Sequence, residues 1–582
     1  MKKLGKPAIA RTDRMHATHA HGVRSEDGKP RPASRLGIVL LLAIVLYAMA
    51  YSVIFVGGPS FYGDDTTYLG LAENVLTGSY VEGSYIFSIR PMQIYPIAFF
   101  YWAFGVDMLT SSAWDITAFL GTIIVAFYVG KEIYDERAGL IAALLIAFFP
   151  LVVILAPTVS DDITMMFATS LAMMGILFGK RRGSRLWYLV GGMALVASPL
   201  ITPEGAVGVI VALLYVVIEV LRKKIRVNLI SVHLVYGILI AGFVTMIFNY
   251  VNCGNPIVTY TVTEAFYSAV GVKTAGGTYA TIPSTNTDLG FYLATMFPYH
   301  IISIISQNLA VGVLNPAAIV GNINAINYNQ VGYYFYFSTL GLLYSLYMVY
   351  KGDKRAYFAV FWLIAGFMYL ELGPMHLSLS PFQYLMAYRL GRFLTAIAVP
   401  AVLVIAIPLA DMLKRVEGAR GRVRLWIGTG TVVAVITFLV ISSAPINLFW
   451  YKVLYAERYS QVAMANYLGA LPDNTRIFYI SEFSNLPIYM GFANQSRMVA
   501  ADQIKDCRQI PYGAYVVLPQ YQQVFNLNYT PNPEQYCPYW QRVFTPMSLS
   551  GIFNNSITSV AANYAGWLWY VGRENMSFSP GT

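Results

Sequence analysis

Charge is scarce in this chain. Asp, Glu, Lys and Arg make up 12% of its 582 residues, against about 25% in an average soluble domain. That is too little to cover a water-facing surface of this size, which excludes an ordinary soluble protein. Cysteine is scarcer still, limited to Cys253, Cys507 and Cys537. No C-x-x-C occurs, which excludes a zinc ribbon and a thioredoxin-like redox site. Internal repeats of solenoid period are absent. What is abundant is apolar, at 57% of residues. The net charge of +10 lies in short clusters between apolar runs, which argues against a nucleic-acid partner.

Residues 1–35 are polar and basic, lack apolar periodicity and read as a disordered tail. His16, His19 and His21 within it have nothing nearby to fix a metal geometry. Beyond the tail, windows of roughly 20 apolar residues predict about eleven spans, at 36–56, 109–130, 138–156, 163–179, 186–202, 204–221, 228–250, 332–350, 356–372, 387–410 and 425–444. The first run carries Ala48-Met49-Ala50, a cleavage-like site. It is long enough to span and many spans follow, so it reads as a membrane helix. Residues 93–105 and 288–320 are apolar but interrupted by Pro and Gly. The tail and the loops after even-numbered spans hold 27 of the 39 Lys and Arg residues. The positive-inside rule places them in the cytoplasm. Segments 57–108, 157–162, 251–331, 373–386 and 445–582 then face outward. The expected fold is an all-α polytopic membrane domain over 36–444, with a small extracytoplasmic α/β domain over 445–582.

In the C-terminal segment the pattern changes. Residues 459–471 read as a helix, Asp473-Asn474 as a turn, and 476–480 and 515–518 as short buried strands. Sequons at Asn494, Asn528, Asn554 and Asn575 suit an outward location. Cys507 and Cys537 share that compartment and are able to pair.

The candidate chemistry lies in the outward loops, where charge at a membrane interface often marks function. The first loop reads Phe61-Tyr62-Gly63-Asp64-Asp65-Thr66-Thr67-Tyr68. Beyond it Tyr68, Leu71, Ala72, Val75 and Leu76 share one helical face, on a helix expected to lie on the membrane surface with Asp65 as its N-cap. One carboxylate is enough to cap, so the second is available for chemistry. Further on, Ser88-Ile89-Arg90-Pro91-Met92 carries one of few basic residues in the outward loops. An arginine facing the two aspartates of the same loop, Asp64 and Asp65, can hold a phosphate leaving group.

These motifs resemble the GT-C superfamily of membrane glycosyltransferases, in particular the protein O-mannosyltransferases and the lipid A aminoarabinose transferase. Asp64-Asp65-Thr66-Thr67-Tyr68 stands where those families carry an Asp-Glu pair followed by Tyr. Arg90-Pro91-Met92 matches a basic-Pro-Pro motif without its second Pro. Gly130-Lys131-Glu132-Ile133-Tyr134-Asp135-Glu136-Arg137-Ala138-Gly139 resembles the family's cytoplasmic turn. Asp161-Asp162 matches an aspartate in the second outward loop. Ser198-Pro199-Leu200-Ile201-Thr202-Pro203-Glu204-Gly205 resembles a Pro-Glu-Gly stretch without its basic residue, and Arg389 or Arg392 resembles an arginine opening a late span. The resemblance is strong over 57–180 and extends in pattern over 36–410. The oligosaccharyltransferase branch carries a Trp-Trp-Asp motif. This chain has no Trp-Trp pair, so transfer of a whole oligosaccharide is not expected.

The resemblance implies transfer of one sugar from a polyprenyl-phosphate donor to a protein, glycan or lipid acceptor on the extracytoplasmic face of the cell membrane. A phosphate leaves without needing a proton, so the enzyme must place the acceptor, take its proton and stabilise the departing charge. Asp64 is expected as general base. Asp162 or Asp161 would orient the acceptor or share a divalent metal. Arg90, with Arg389 or Arg392, would hold the phosphate. Tyr68 and Glu204 are candidate substrate contacts, although the helix dipole alone favours a glutamate at the position of Glu204. His300, Glu264 and His376 are outward groups more simply read as solvated. A single displacement inverts the anomeric carbon. Membrane lipids are the other expected partners. The alternative class is a transporter or flippase, which would show symmetry-related repeats.

Overall fold

The computed structural model describes residues 32–54, 64–83, 86–223, 225, 231–265, 332–372, 374–379, 382–386, 391–417, 422–479, 486, 497–500, 509–519, 540–544 and 566–571. Fourteen α-helices can be labelled among them. They are α1 (Arg35–Ile54), α2 (Asp64–Thr77), α3 (Pro91–Phe104), α4 (Met108–Ile133), α5 (Glu136–Ala147), α6 (Pro150–Leu155), α7 (Asp161–Arg182) and α8 (Arg185–Ile201). After these come α9 (Ala206–Leu221), α10 (Val232–Cys253), α11 (Tyr334–Tyr350), α12 (Tyr357–Leu372), α13 (Ala398–Glu417) and α14 (Arg422–Gly469).

Among the described residues, six helical segments are long and apolar enough to cross a membrane: Arg35–Ile54, Met108–Ile133, Asp161–Arg182, Val232–Cys253, Leu394–Glu417 and Leu425–Leu448. Sequence windows predict about eleven spans, and helices stand at all of those positions. The difference is length. At 1.5 Å per residue, helices such as α5, α11 and α12 reach roughly 18–26 Å, short of a hydrocarbon core of about 30 Å. The stretch 138–156, read as one span, is two helices, because Pro150 starts α6 after the break at Phe148-Phe149. Residues 93–105, read as interrupted, form the continuous helix α3 with Pro96 inside it.

α7 is buried along almost its whole length and packs on α4 and α8. α1 and α10 instead expose Leu, Ile, Val and Phe side chains, as lipid-facing helices do. In lipid, helix association relies on close packing rather than on water exclusion. At the α7–α8 contact a Cβ on Gly175 would lie 2.6 Å from the Cα of Gly191, so position 175 needs glycine, and a Cβ on Gly191 would be tight at 3.2 Å from the Ala172 carbonyl. The Gly130–Gly139 motif has the same origin, since a Cβ on Gly139 would collide with the backbone of α4. Asp135 inside that motif caps α5 by accepting from the Ala138 N–H at 3.0 Å.

The charges sort to two ends. α7 has Asp161 and Asp162 in its first turn and Lys180, Arg181 and Arg182 in its last, which complements the helix dipole at both termini. At the basic end Arg182 pairs with Glu132 at 2.6 Å, Arg137 with Glu417 at 2.8 Å, and Tyr134 donates to Asp411 at 2.6 Å. These contacts gather the start of α5 and the ends of α4, α7 and α13 on one face. The start of α7 is therefore at the opposite end.

Residues 373–386, read as a plain outward loop, contain an antiparallel hairpin of β1 (Pro374–Leu379) and β2 (Phe382–Met386). The 459–471 helix exists as the end of α14, which continues without a break from the last apolar segment. It packs on a sheet of β3 (Ile477–Tyr479), β4 (Met498–Ala500), β5 (Tyr515–Pro519), β6 (Trp540–Phe544) and β7 (Gly566–Val571), ordered β4-β3-β5-β7-β6. β4, β3 and β5 are parallel, and β7 and β6 are antiparallel additions. Buried Arg497 donates to the Leu468, Leu471 and Pro472 carbonyls, closing the C-terminal end of α14.

Candidate active site

Pro91 at the first position of α3 suits its fixed φ to a helix start. This leaves Arg90 at the N-cap, its carbonyl accepting from the Gln93 and Ile94 N–H groups at 3.0 and 3.1 Å. Its side chain reaches the first turn of α7, where Nη1 lies 2.6 Å from Asp161 Oδ2. Nη1 also donates to the Tyr68 hydroxyl, which donates onward to Asp161 Oδ2 at 2.9 Å. The guanidinium carbon sits 4.8 Å from the Phe87 ring centroid and 5.6 Å from that of Tyr68. Arg90 is 8% exposed, Asp161 4% and Asp162 1%. Ser160 Oγ lies 3.4 Å from Asp162 Oδ2.

A buried ion pair gains little net stability, because desolvation offsets the attraction, whereas removing one partner costs about 3–5 kcal/mol. Such a pair at the end of a helical bundle is better explained by work than by stability.

Asp64 and Asp65 lie in the first turn of α2, so the helix starts earlier than the Asp65 cap expected from sequence. Asp64 precedes Tyr68 by four residues and therefore shares its helix face. Their own side chains fall outside the described atoms. Tyr68, Leu71 and Ala72 are buried as the helical face requires, whereas Leu76 is exposed. Arg392 stands on a 3-10 helix, Gly391–Ile397, that packs against α7. Glu204 stands on the 3-10 turn Pro203–Gly205, and His376 on β1. The side chains of these three are likewise outside the described atoms. Arg389, His300, Cys507 and Cys537 lie outside the described residues. Glu264 is on a helical segment at 258–265, beside Tyr260. Among the described residues no cluster of three or more His, Cys, Asp or Glu is arranged to hold a metal.

Asp115, Gln93 and Glu82 are buried polar residues that were not singled out from sequence. Asp115 of α4 is fully buried behind Ser160, and Gln93 of α3 is fully buried beside it. A lone carboxylate inside a predicted span was the available signal for Asp115. Glu82, in the loop before Arg90, had no signal, since a loop carboxylate is ordinarily solvated. It is 2% exposed, and among the described residues neither of its oxygens has a hydrogen-bond partner of ordinary geometry.

Burial pushes the Glu82 carboxyl up to about 7, with Asn252 of α10 slightly favouring the charged form. The folded state then holds this proton more tightly than the unfolded state. Stability should fall as pH rises from about 4.5 to about 7 and then level off. Glu82→Gln is expected to flatten that slope. Thermal unfolding of the detergent-solubilised protein between about pH 5 and 8 reads it, and parallel curves for the two proteins would remove Glu82 as the cause.

Residues 90–248 match the family described as dolichyl-phosphate-mannose-protein mannosyltransferase. The chain aligns with ArnT from Cupriavidus metallidurans bound to undecaprenyl phosphate at a TM-score of 0.51 and 14% identity, over 92% of this chain and 98% of that one. The chain resembles the GT-C membrane glycosyltransferases. An oligosaccharyltransferase from Archaeoglobus fulgidus in its apo form aligns at a TM-score of 0.47 and 14% identity, over 82% of this chain and 69% of that one. The archaeal oligosaccharyltransferase AglB from the same organism, in complex with an inhibitory peptide and a dolichol-phosphate, aligns at 0.48 and 15% identity, over 78% and 64%. No curated protein matches this sequence. The ArnT likeness runs through both the helical bundle and the C-terminal segment, and the family match starts at Arg90 itself. With its long apolar helices, the chain is an integral membrane protein.

Proposed function

We propose that this protein transfers a single sugar from a polyprenyl-phosphate carrier to a protein, glycan or lipid acceptor on the extracytoplasmic side of the cell membrane, with inversion at the anomeric carbon. The carrying observation is the buried Arg90–Asp161–Tyr68 cluster at the end of the bundle opposite the basic loops. A guanidinium there meets a lipid phosphate at headgroup depth, where a planar fork recognises its oxygens. As the sugar–phosphate bond breaks, charge grows on the lipid phosphate. Arg90 then exchanges Asp161 for that phosphate, so its interaction is strongest in the transition state. Arg389 and Arg392 are further phosphate ligands, and Glu204 and Tyr68 line or support the substrate side. Asp64, one turn before Tyr68 on α2, takes the acceptor proton, and Asp162 orients the acceptor. A divalent metal shared by these carboxylates would raise the acceptor's acidity.

The N-terminal tail and basic loops are assigned to the cytoplasm on the Lys and Arg asymmetry, and residues 445–582 to the outside. A cysteine placed at Ser184 should be shielded from an impermeant reagent in intact cells, and one at Ser577 should react. The reverse labelling would contradict the orientation. The activity is tested by incubating purified protein with a panel of synthetic polyprenyl-phosphate sugars and membrane acceptors. One donor should lose its labelled sugar to an acceptor. A protein active only on nucleotide sugars, or a panel left intact, would contradict the reading.

A further inference from the structure

Behind the Arg90–Asp161 pair a second polar chain crosses the bundle. Asp115 is fully buried in α4. A buried carboxylate is costly unless hydrogen bonds replace its water. Its two oxygens accept from two different elements. Oδ1 faces Gln93 Nε2 of α3 at 3.3 Å, and Oδ2 faces the Ser160 N–H, just before α7, at 3.3 Å. The other end of the Gln93 amide accepts from Thr164 Oγ1 of α7 at 2.7 Å. Thr164 Oγ1 is in turn 3.0 Å from the Asp161 carbonyl. Gln93 also donates its backbone N–H to the Arg90 carbonyl. The chain thus closes a ring: Arg90 to Asp161 through side chains, Asp161 to Thr164, Thr164 to Gln93, and Gln93 back to Arg90. Asp115 ties that ring to α4 at two points.

We infer that Asp115 and Gln93 are positioning residues for the proposed transfer, forming a buried strut that holds the start of α7, with Asp161 and Asp162, in register with Arg90. The inference rests on the function proposed above. The amide orientation follows from the donors and acceptors present, because its N–H₂ must face the carboxylate and its oxygen the hydroxyl. Apolar side chains of equal volume would fill the same space without desolvating a charge. Reacting groups displaced by about 1 Å can lose about 10²-fold in rate. The strut therefore acts on turnover rather than on donor affinity.

The test compares Asp115→Asn, Gln93→Leu and the double variant for kcat and for donor KM, with monodispersity in detergent as the folding control. An Asn side chain cannot accept from both Gln93 Nε2 and the Ser160 N–H through separate oxygens as Asp115 does. Each single variant should lower kcat by about 10-fold or more and leave KM within about threefold, and the double should be no worse than the worse single. Thr122→Val is the control on the same helix, because among the described residues the Thr122 hydroxyl bonds to the Ala118 carbonyl one turn back and to nothing else. It should stay near the wild-type rate.

Gln93→Glu gives a readout that a merely structural role would not move. It sets two carboxyls against each other, which can stay together only by sharing a proton. Its rate relative to wild type should rise by about tenfold as pH falls from about 8 to about 6. Wild-type rates in Asp115→Asn and Gln93→Leu, multiplicative losses in the double, or a flat pH ratio in Gln93→Glu would overturn the strut. Absence of transfer by the wild-type protein would instead overturn the function on which it rests.

Discussion

Asp64→Asn is expected to lower turnover by about 10²–10⁴-fold, the range for loss of a general base. Asp64 lies in the first turn of α2, where Asn forfeits only the carboxylate's interaction with the helix dipole, about 0.3–1 kcal/mol, so folding should hold. Asn cannot accept a hydroxyl proton at neutral pH. Donor affinity should change far less, because Arg90 is untouched. Asp65→Asn, one position round the helix from the face of Tyr68, should be milder. Sugar transfer at saturating donor measures the effect, with detergent monodispersity as the control. Near-wild-type turnover in Asp64→Asn would refute the assignment. A dead Asp162→Asn beside an active Asp64→Asn would move the base to α7.

The Arg90–Asp161 pair should respond asymmetrically. Arg90→Lys keeps the charge but loses the planar fork, so transfer should fall by about 10-fold. Arg90→Ala should lose about 10²–10³-fold, the cost of one preorganised donor at a developing negative charge. It also leaves Asp161 buried without its cation, at about 3–5 kcal/mol of stability, so the Lys variant is the cleaner reading. Asp161→Asn removes the carboxylate that competes with phosphate for the guanidinium. It should bind polyprenyl phosphate more tightly and release it more slowly. Weaker binding in Asp161→Asn would show that the carboxylate serves only to orient Arg90, and that no exchange of partners takes place.

Much of this arrangement was legible in the sequence, for identifiable reasons. Arg90 was visible because basic residues are rare in the outward loops, and Asp161 because it matches an aspartate of the family it resembles. Tyr68 followed from the helical face that begins with it. Charge clusters located the basic end of the bundle, and the structure gathers Lys180, Arg182, Arg137 and their partners there. Windows of hydropathy found helices at every predicted span but not where each helix ends. They sum composition and do not see where a helix stops, as at Phe148-Phe149 before Pro150. The pairing of Arg90 with Asp161, 71 positions apart, is a tertiary contact that no local pattern encodes. Asp115 and Gln93 stayed hidden because one polar residue in an apolar run looks like tolerated noise. Only the convergence of α3, α4 and α7 shows that the two meet. The buried state of Glu82 depends on α10 and the 258–265 segment closing over its loop, which again is decided by packing.

The most direct test of the central claim follows both products of one reaction. A donor labelled in the sugar and in the lipid phosphate is given to the purified protein with its acceptor. Sugar transferred and free polyprenyl phosphate are quantified together, and the anomeric configuration of the product is read by NMR. The account predicts one lipid phosphate released per sugar transferred, inverted configuration, and loss of both products together in Asp64→Asn. Transfer with the configuration retained, or sugar transferred without release of lipid phosphate, would contradict it.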